Sequence, residues 1–351
     1  GERGCDPRVN PAATLKPMGC AIGYSAMLAQ FPPAEAVEFA ALAEQHGFTG
    51  TMAADHYQPW VPAQGQAAFV WNVLTAVAER TRGDLGPGAT APTFRHHPAV
   101  VAQASATLAA MYPGRHWLGL GSGEALNEHV VGQYWPEAPT RINRLFEAIE
   151  IIRKLFTASL AGKDTKFSGE FFRLESTRLW TMPEEPPPIL VATSGPVTAR
   201  RAGARADGLI TQEAPAERLQ LLLDRFATGA REAGKDPAAM PKVLQVHLSW
   251  APTDAEALAN AMSQWPNGAM RFAKSDIRSP FEFAQMAKML RPEDFEGQMT
   301  ISSDPDVHRQ ALQRYVDLGF DRIYLHNVGR NQADWITVFG AEVLPHLRGL
   351  R

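Results

Sequence analysis

Eight short apolar runs, each followed by a stretch with helical character, constrain this chain more than any other feature. The runs lie at residues 19–24, 49–55, 85–90, from Trp117, and at 188–193, 208–211, 243–250 and 322–326. Each is bounded by glycine, proline or polar turn residues and reads as a buried strand. Helices are expected at 33–45, 70–80, 98–111, 141–155, 196–205, 216–233, 306–318 and 335–347. A strand that is apolar throughout needs cover on both faces, and alternating helices supply it around a parallel sheet. Eight such repeats close the sheet on itself, so the expected fold is α/β, a (β/α)8 TIM barrel.

The 351 residues accommodate one barrel with additions. Residues 1–18, rich in Pro, Gly and Arg, read as a loose N-terminal arm, and 19–351 as a single TIM-barrel domain. An insertion falls at about 253–300, mostly helical, with breaks at Pro266-Asn267-Gly268 and Ser279-Pro280. A small hairpin is expected at 167–174 around Ser168-Gly169. A net charge of -3 gives no general field for nucleic acid or an anionic membrane, so any bound anion needs a local site. Two cysteines, Cys5 and Cys20, make neither a disulfide framework nor a zinc pattern. No apolar run is long enough to span a bilayer, and no secretory signal precedes residue 19. A cytoplasmic location is expected, although Gly1 leaves room for a removed export segment.

In a barrel of this kind the working face lies at the C-terminal ends of the strands. Those ends carry Asp55-His56, Ala89-Thr90, Glu124, Ser194-Gly195, Thr211, His247 with Trp250, and His326. Polar and titratable residues gathered at one rim point to a single pocket. Each has a plainer reading beside it: Asp55 as a helix cap, His326 as a hydrogen-bonded barrel histidine, Trp60 and Trp250 as packing. No HxxxH spacing or other metal-ligand pattern occurs, and Ser194 lacks the GxSxG elbow of a hydrolase.

Two glycine turns sharpen the pocket. Leu120-Gly121-Ser122-Gly123-Glu124 leaves a strand without Cβ atoms at Gly121 and Gly123, so backbone can approach a flat or anionic ligand. Thr193-Ser194-Gly195-Pro196 places free N–H groups at a helix N-terminus, a seat for phosphate. Together they suit a planar, phosphate-bearing redox cofactor, whose identity spacing alone leaves open.

The stretches Ala54-Asp55-His56-Tyr57-Gln58-Pro59-Trp60, Pro92-Thr93-Phe94-Arg95-His96-His97-Pro98-Ala99-Val100, Gly121-Ser122-Gly123-Glu124-Ala125-Leu126-Asn127-Glu128 and Ser194-Gly195-Pro196 occur in order. In them the chain resembles the luciferase-like, coenzyme F420-dependent oxidoreductases, in the group of the glucose-6-phosphate and alcohol dehydrogenases. The resemblance spans about residues 19–348. It implies a barrel, a homodimer, a small-molecule substrate, and hydride transfer from an alcohol to the deazaflavin C5 of F420. By position it implies F420 contacts at Asp55, Gly88, Ala89, Ala91, Ser122, Gly123, Asn127, Ser194, Gly195, Val197 and Thr198, with a cis peptide at Gly88-Ala89. It implies His56 as acceptor of the substrate hydroxyl proton, Glu124 as proton donor to the ring, and Trp60 beside the reacting centre. A neutral imidazole and a protonated carboxyl suit those two tasks.

The substrate end departs from the sugar-phosphate enzymes. Thr211 matches their threonine, but Ala214 and Gln285 fall at two lysine positions and Gln298 at an arginine position. A dianion would lose several charge-assisted hydrogen bonds there. Thr211, His247, Trp250, Gln285 and Gln298 are therefore the expected substrate residues, with Trp265, Met270 and Phe272 as further apolar lining. The expected substrate is a secondary alcohol or non-phosphorylated sugar. The alternatives are a sugar-6-phosphate dehydrogenase with cations moved to Lys274, Lys288 or Arg291, an FMN-dependent monooxygenase, and a non-catalytic F420 carrier.

Overall fold

The computed structural model describes residues 19–351; the expected arm at 1–18 and Cys5 lie outside the described residues. The barrel strands are β1 (Ala21–Ala26), β2 (Thr51–Ala53), β3 (Leu85–Pro87), β4 (Leu118–Leu120), β5 (Ile189–Ala192), β6 (Gly208–Gln212), β7 (Lys242–Ser249) and β8 (Arg322–Asn327). They pair in parallel in the order β3-β2-β1-β8-β7-β6-β5-β4. The two ends of that series meet through the parallel bridges Leu85–His116 and Thr90–Leu120, which close the ring. The absent side chain of Gly119 makes the closure possible, since a Cβ there would stand 2.1 Å from the Pro87 carbonyl oxygen.

The outer helices are α1 (Pro33–Gln45), α2 (Val70–Arg80), α3 (Pro98–Met111), α4 (Ala138–Leu160), α5 (Pro196–Arg205), α6 (Ala216–Glu232), α7 (Pro305–Asp317) and α8 (Gln332–Val338). Four of the eight begin at a proline, whose missing N–H costs nothing in the first turn. The last helix, expected to run unbroken over 335–347, loosens into a π-turn at Phe339–Val343 and a 3-10 turn at Leu344–His346. Pro345 cannot donate into a continuing helical ladder. No helix among the described residues is long and apolar enough to cross a membrane.

Inside the ring, Met52, Trp117, Leu190, Ile210, Val243 and Tyr324 form a plug contributed by six strands. The plug is anchored by Asp84, which accepts from Trp117 Nε1 at 2.9 Å, from Tyr324 Oη and from Arg322. The inside of the ring is thus filled below the level where the strands' C-terminal ends open.

The insertion runs through a helix at Asp254–Gln264, a 3-10 turn at Pro266–Gly268, a helix at Pro280–Ala287 and a 3-10 turn at Pro292–Phe295. It ends in a short strand, Thr300–Ile301, on β7. Residues 269–279, expected as helix, form an irregular crossing instead. Met27, Trp60, Leu126, Trp265 and Phe283 pack into a second apolar cluster that roofs one side of the barrel mouth. The antiparallel hairpin Thr165–Ser168 with Arg173–Thr177 stands apart from the barrel.

Candidate active site

A cleft of about 360 Å³ opens at the C-terminal ends of the strands. Its deepest charged group is Asp55, which follows β2 and is buried. Thr90 donates to its Oδ2, His96 Nε2 lies 3.4 Å from that oxygen, and Arg95 Nη2 stands 3.0 Å from Oδ1. Burial pushes the Asp55 pKa up, but the His96 hydrogen bond, the Arg95 charge and the Thr90 hydroxyl together hold it below 3.8. Arg95 is shared with Glu128: its backbone N–H donates to Glu128 Oε2 at 2.8 Å and its Nε lies 3.5 Å from Oε1. The segment after β3 is thereby tied to the turns after β2 and β4.

His56 follows Asp55, and Glu124 follows the glycine turn of β4. His56 Nε2 stands 3.9 Å from Glu124 Oε2, and His56 Nδ1 is buried with no partner. Gly123, at φ +85°, makes the turn that presents Glu124, a conformation side-chain-bearing residues rarely take. Asn127 fixes the pair from behind. Its Oδ1 accepts from the backbone N–H groups of Tyr57 at 2.9 Å and Gln58 at 3.2 Å, and its Nδ2 donates to Glu124 Oε2 at 3.4 Å. The irregular crossing of the insertion completes the clamp: Ala125 N–H donates to the Ser275 carbonyl at 2.8 Å, and Gln58 Nε2 to those of Leu126 and Arg278.

One wall of the cleft is nearly bare of side chains. Gly88, Ala89, Ala91, Gly121, Ser122 and Gly123 line it, and the Gly88–Ala89 peptide is cis. A Cβ on Gly121 would meet nothing nearer than the Ala89 and Ala192 methyl carbons, at 3.5 and 4.0 Å, so its absence leaves free space rather than relieving a clash. Ser194 and Thr198 reach the same cleft at the start of α5.

The opposite wall is aromatic. Trp60 packs against His56 with centroids 5.3 Å apart, Trp265 meets Trp60 edge-on at 6.2 Å, and His247 stacks on Trp265 at 4.5 Å. Thr211 lies near this end, on β6. Glu213, just beyond β6, accepts from the His247 backbone N–H at 3.1 Å. Burial raises its pKa to about 8 against the lowering effect of that bond, of its own N–H and of Lys274. Lys274 donates to the carbonyls of Asn267 at 2.7 Å and Met270 at 3.4 Å. Burial lowers its pKa, opposed by Glu124 and Glu213.

Several expected site residues stand elsewhere. Trp250 leaves the barrel mouth because β7 ends at Ser249; its indole donates to the Ser303 carbonyl at 3.0 Å, in the core. Gln285 lies on the outer side of its helix, bonded to Lys288, while Phe283 of that helix turns inward onto Trp60. Gln298 sits in the turn before Thr300–Ile301, away from the cleft lining. Met270 and Phe272 also lie outside the lining, as do the cations Lys288 and Arg291. Gly195 and Val197 lie outside the cleft lining: Gly195 caps α5 with its N–H given to Thr193 Oγ1 at 3.0 Å, and Val197 is 76% exposed. Thr90 stands at the rim as its strand-end position implies; Arg95, Glu128 and Glu213 are not among the expected site residues, although Arg95 and Glu128 fall inside the quoted motifs and Glu213 belongs to none.

A roomier cleft of about 970 Å³ lies at the other end of the barrel, lined by Pro183, Pro186, Pro187, Lys235 and Pro241. Arg153 is already spent there on Asp207 at 2.8 Å, and nothing in it matches the His56–Glu124 pair.

The chain has relatives among known proteins. The family model described as luciferase-like monooxygenase matches residues 14–322. The F420-dependent glucose-6-phosphate dehydrogenase of Microbacterium testaceum is 37% identical over 329 residues, covering 93% of this chain and 97% of that one. The protein of the same name from Segniliparus rotundus is 36% identical over 333 residues, covering 94% and 98%. Among solved structures, an F420-dependent secondary alcohol dehydrogenase in complex with an F420-acetone adduct superposes with a TM-score of 0.88 at 31% identity, covering 94% of this chain and all of that one. The coenzyme F420 dependent tetrahydromethanopterin reductase of Methanopyrus kandleri, at 19% identity and a TM-score of 0.76, shares the fold.

Proposed function

The chain belongs to the luciferase-like family, and from that premise we propose that it is a coenzyme F420-dependent dehydrogenase of an uncharged, hydroxyl-bearing substrate, a secondary alcohol or a non-phosphorylated sugar. The observation that carries this reading is the His56–Glu124 pair, 3.9 Å apart at the mouth of a cleft with one bare wall and one aromatic wall. The residues present suit F420. The space left by Gly121 between Ala89 and Ala192 admits a flat ring, and Ser194 and Thr198 with the Val197 and Thr198 N–H groups at the α5 start suit a phosphate, the Gly195 N–H being taken by Thr193 Oγ1. Asp55, Ala91, Ser122, Gly123 and Asn127 complete the holding set.

When bound, F420 supplies the hydride acceptor at its C5. The substrate carbinol loses a hydride from carbon and a proton from oxygen, leaving a carbonyl. The His56 imidazole accepts that proton, and a neutral ring is the form able to do so. The Glu124 carboxyl is the group that would supply the proton needed on the far side of the ring, and Asn127 keeps it in place. Trp60 packs beside His56 and excludes water from the reacting centre.

A sugar phosphate is the second reading. It is favoured by the names of the relatives and by Lys274, the cation in electrostatic reach of Glu124. Against it stands the position of Lys288 and Arg291, both outside the cleft lining. We read the working unit as a homodimer in the cytoplasm; light scattering of the purified protein tests the dimer. Titration with F420 and, separately, FMN tests the cofactor. Tight binding of F420 with reduction by isopropanol is expected, whereas preference for FMN with oxygen uptake would replace this reading with a monooxygenase.

A further inference from the structure

Three polar atoms at the far end of the aromatic wall have no partner although they are buried: Thr211 Oγ1, Glu213 Oε2 and His247 Nε2. They sit on the ends of adjacent strands, and Glu213 and His247 are already joined through the His247 backbone N–H. Orphaned polar atoms in a native interior are costly and call for an explanation.

The proton positions along the chain behind His247 can be worked out from its far end. The Val328 carbonyl can only accept, and it lies 2.8 Å from Gln30 Nε2, so the Gln30 amide is oriented with Oε1 toward His326. His326 Nε2, 3.2 Å from that oxygen, must therefore carry a proton. Burial keeps His326 neutral, so its Nδ1 is bare. His247 Nδ1, 2.8 Å from His326 Nδ1, must then be the donor. Burial, with Lys274 adding to it, holds the His247 pKa near 3, so that ring is also neutral and its Nε2 carries only a lone pair.

We propose that His247 Nε2, with Thr211 Oγ1 and Glu213 beside it, forms a recognition subsite that accepts a hydrogen bond from a second hydroxyl of a polyhydroxylated, uncharged substrate. This rests on the dehydrogenase reading and narrows its substrate class. Trp60 and Trp265 separate the subsite from His56, so it engages a hydroxyl distant from the reacting carbinol. The bare lone pair of His247 Nε2 repels an anion and selects a donor. Glu213, protonated at neutral pH, supplies the complementary O–H. In this structure the Trp265 ring lies over His247 at an interplanar angle of 28°, and ligand entry moves it aside.

Two measurements test the proposal. Nitrogen-15 NMR of the histidine rings reports the tautomer directly: Nδ1–H with a bare Nε2 is expected for His247, and an Nε2–H ring would overturn the argument. Calorimetric titration, with and without F420, then compares glucose with cyclohexanol on the wild type and on His247→Phe, which keeps an aromatic ring against Trp265. Glucose binding is expected to weaken about tenfold while cyclohexanol binding holds. Equal weakening of both, or no glucose binding to the wild type, would overturn the subsite. Weakening equal to that of glucose for glucose 6-phosphate, bound more tightly than glucose by the wild type, would give the site to sugar phosphates. Selective loss of glucose binding without any F420 reduction would leave the subsite standing and remove the dehydrogenase reading.

Discussion

His56 Nε2 lies 3.9 Å from Glu124 Oε2, although the two residues leave strands that are not neighbours in the barrel. The pairing depends on Asn127, which holds the backbone after His56 with its oxygen and the Glu124 side chain with its nitrogen. Glu124→Gln keeps this shape and removes the proton. Its kcat for alcohol oxidation is expected to fall by about 100-fold or more with F420 affinity little changed. An unaltered kcat would take Glu124 out of the chemistry.

Asn127→Ala removes the acceptor of two backbone N–H groups in a buried position. A loss of about 1–3 kcal/mol of stability is expected, together with a lower kcat. Denaturant unfolding checks the first and steady-state assays the second. A variant as stable as the wild type would mean that water replaces the amide.

Asp55→Asn leaves Arg95 and His96 without their shared carboxylate. Removing one member of a buried charged cluster costs on the order of 3 kcal/mol. Because the folded-state pKa of Asp55 is below its ordinary 3.8, its contribution is present above that pH and is lost as the pH falls through the lower folded value. The difference in Tm between the two proteins is therefore constant near neutrality and shrinks below about pH 4. A gap that widened in acid would contradict the charge assignment.

Glu213 has the opposite sign. Burial raises its pKa from 4.5 to about 8, so the folded protein holds a proton that the unfolded chain releases. Its effect on stability is most favourable below 4.5, declines as the pH rises, and is fully lost above about 8. Glu213→Gln removes that slope. The Tm of the variant relative to the wild type should climb between pH 5 and pH 9, and parallel pH profiles would refute the buried, protonated carboxyl.

Much of the barrel was legible because it depends on periodicity, which many residues share. The α3 boundaries coincide with the sequence pattern, since Pro98 opens the helix and Pro113-Gly114 follows its end. The Asp55-His56 and Gly121–Glu124 motifs were legible for a related reason: each follows directly on a strand end, so barrel topology alone sends both to one rim. The insertion lacked such a frame. Gln285 and Gln298 fall in a region with no barrel strand to fix its register, and the helix there turns Phe283 rather than Gln285 inward. Trp250 was misplaced by one step, because alternation along β7 carries His247 into the barrel and stops at Ser249. Glu213 left no signal in the sequence. A lone carboxylate in a turn looks solvated until the fold buries it.

The most direct test of the central claim is F420 reduction, followed as loss of the oxidised cofactor's absorbance, with isopropanol, glucose and glucose 6-phosphate side by side. The structure predicts turnover with the unphosphorylated compounds, abolished in His56→Ala, and little or none with glucose 6-phosphate. Robust activity confined to glucose 6-phosphate would contradict the uncharged-substrate reading and assign Lys274 and Thr211 to a phosphate.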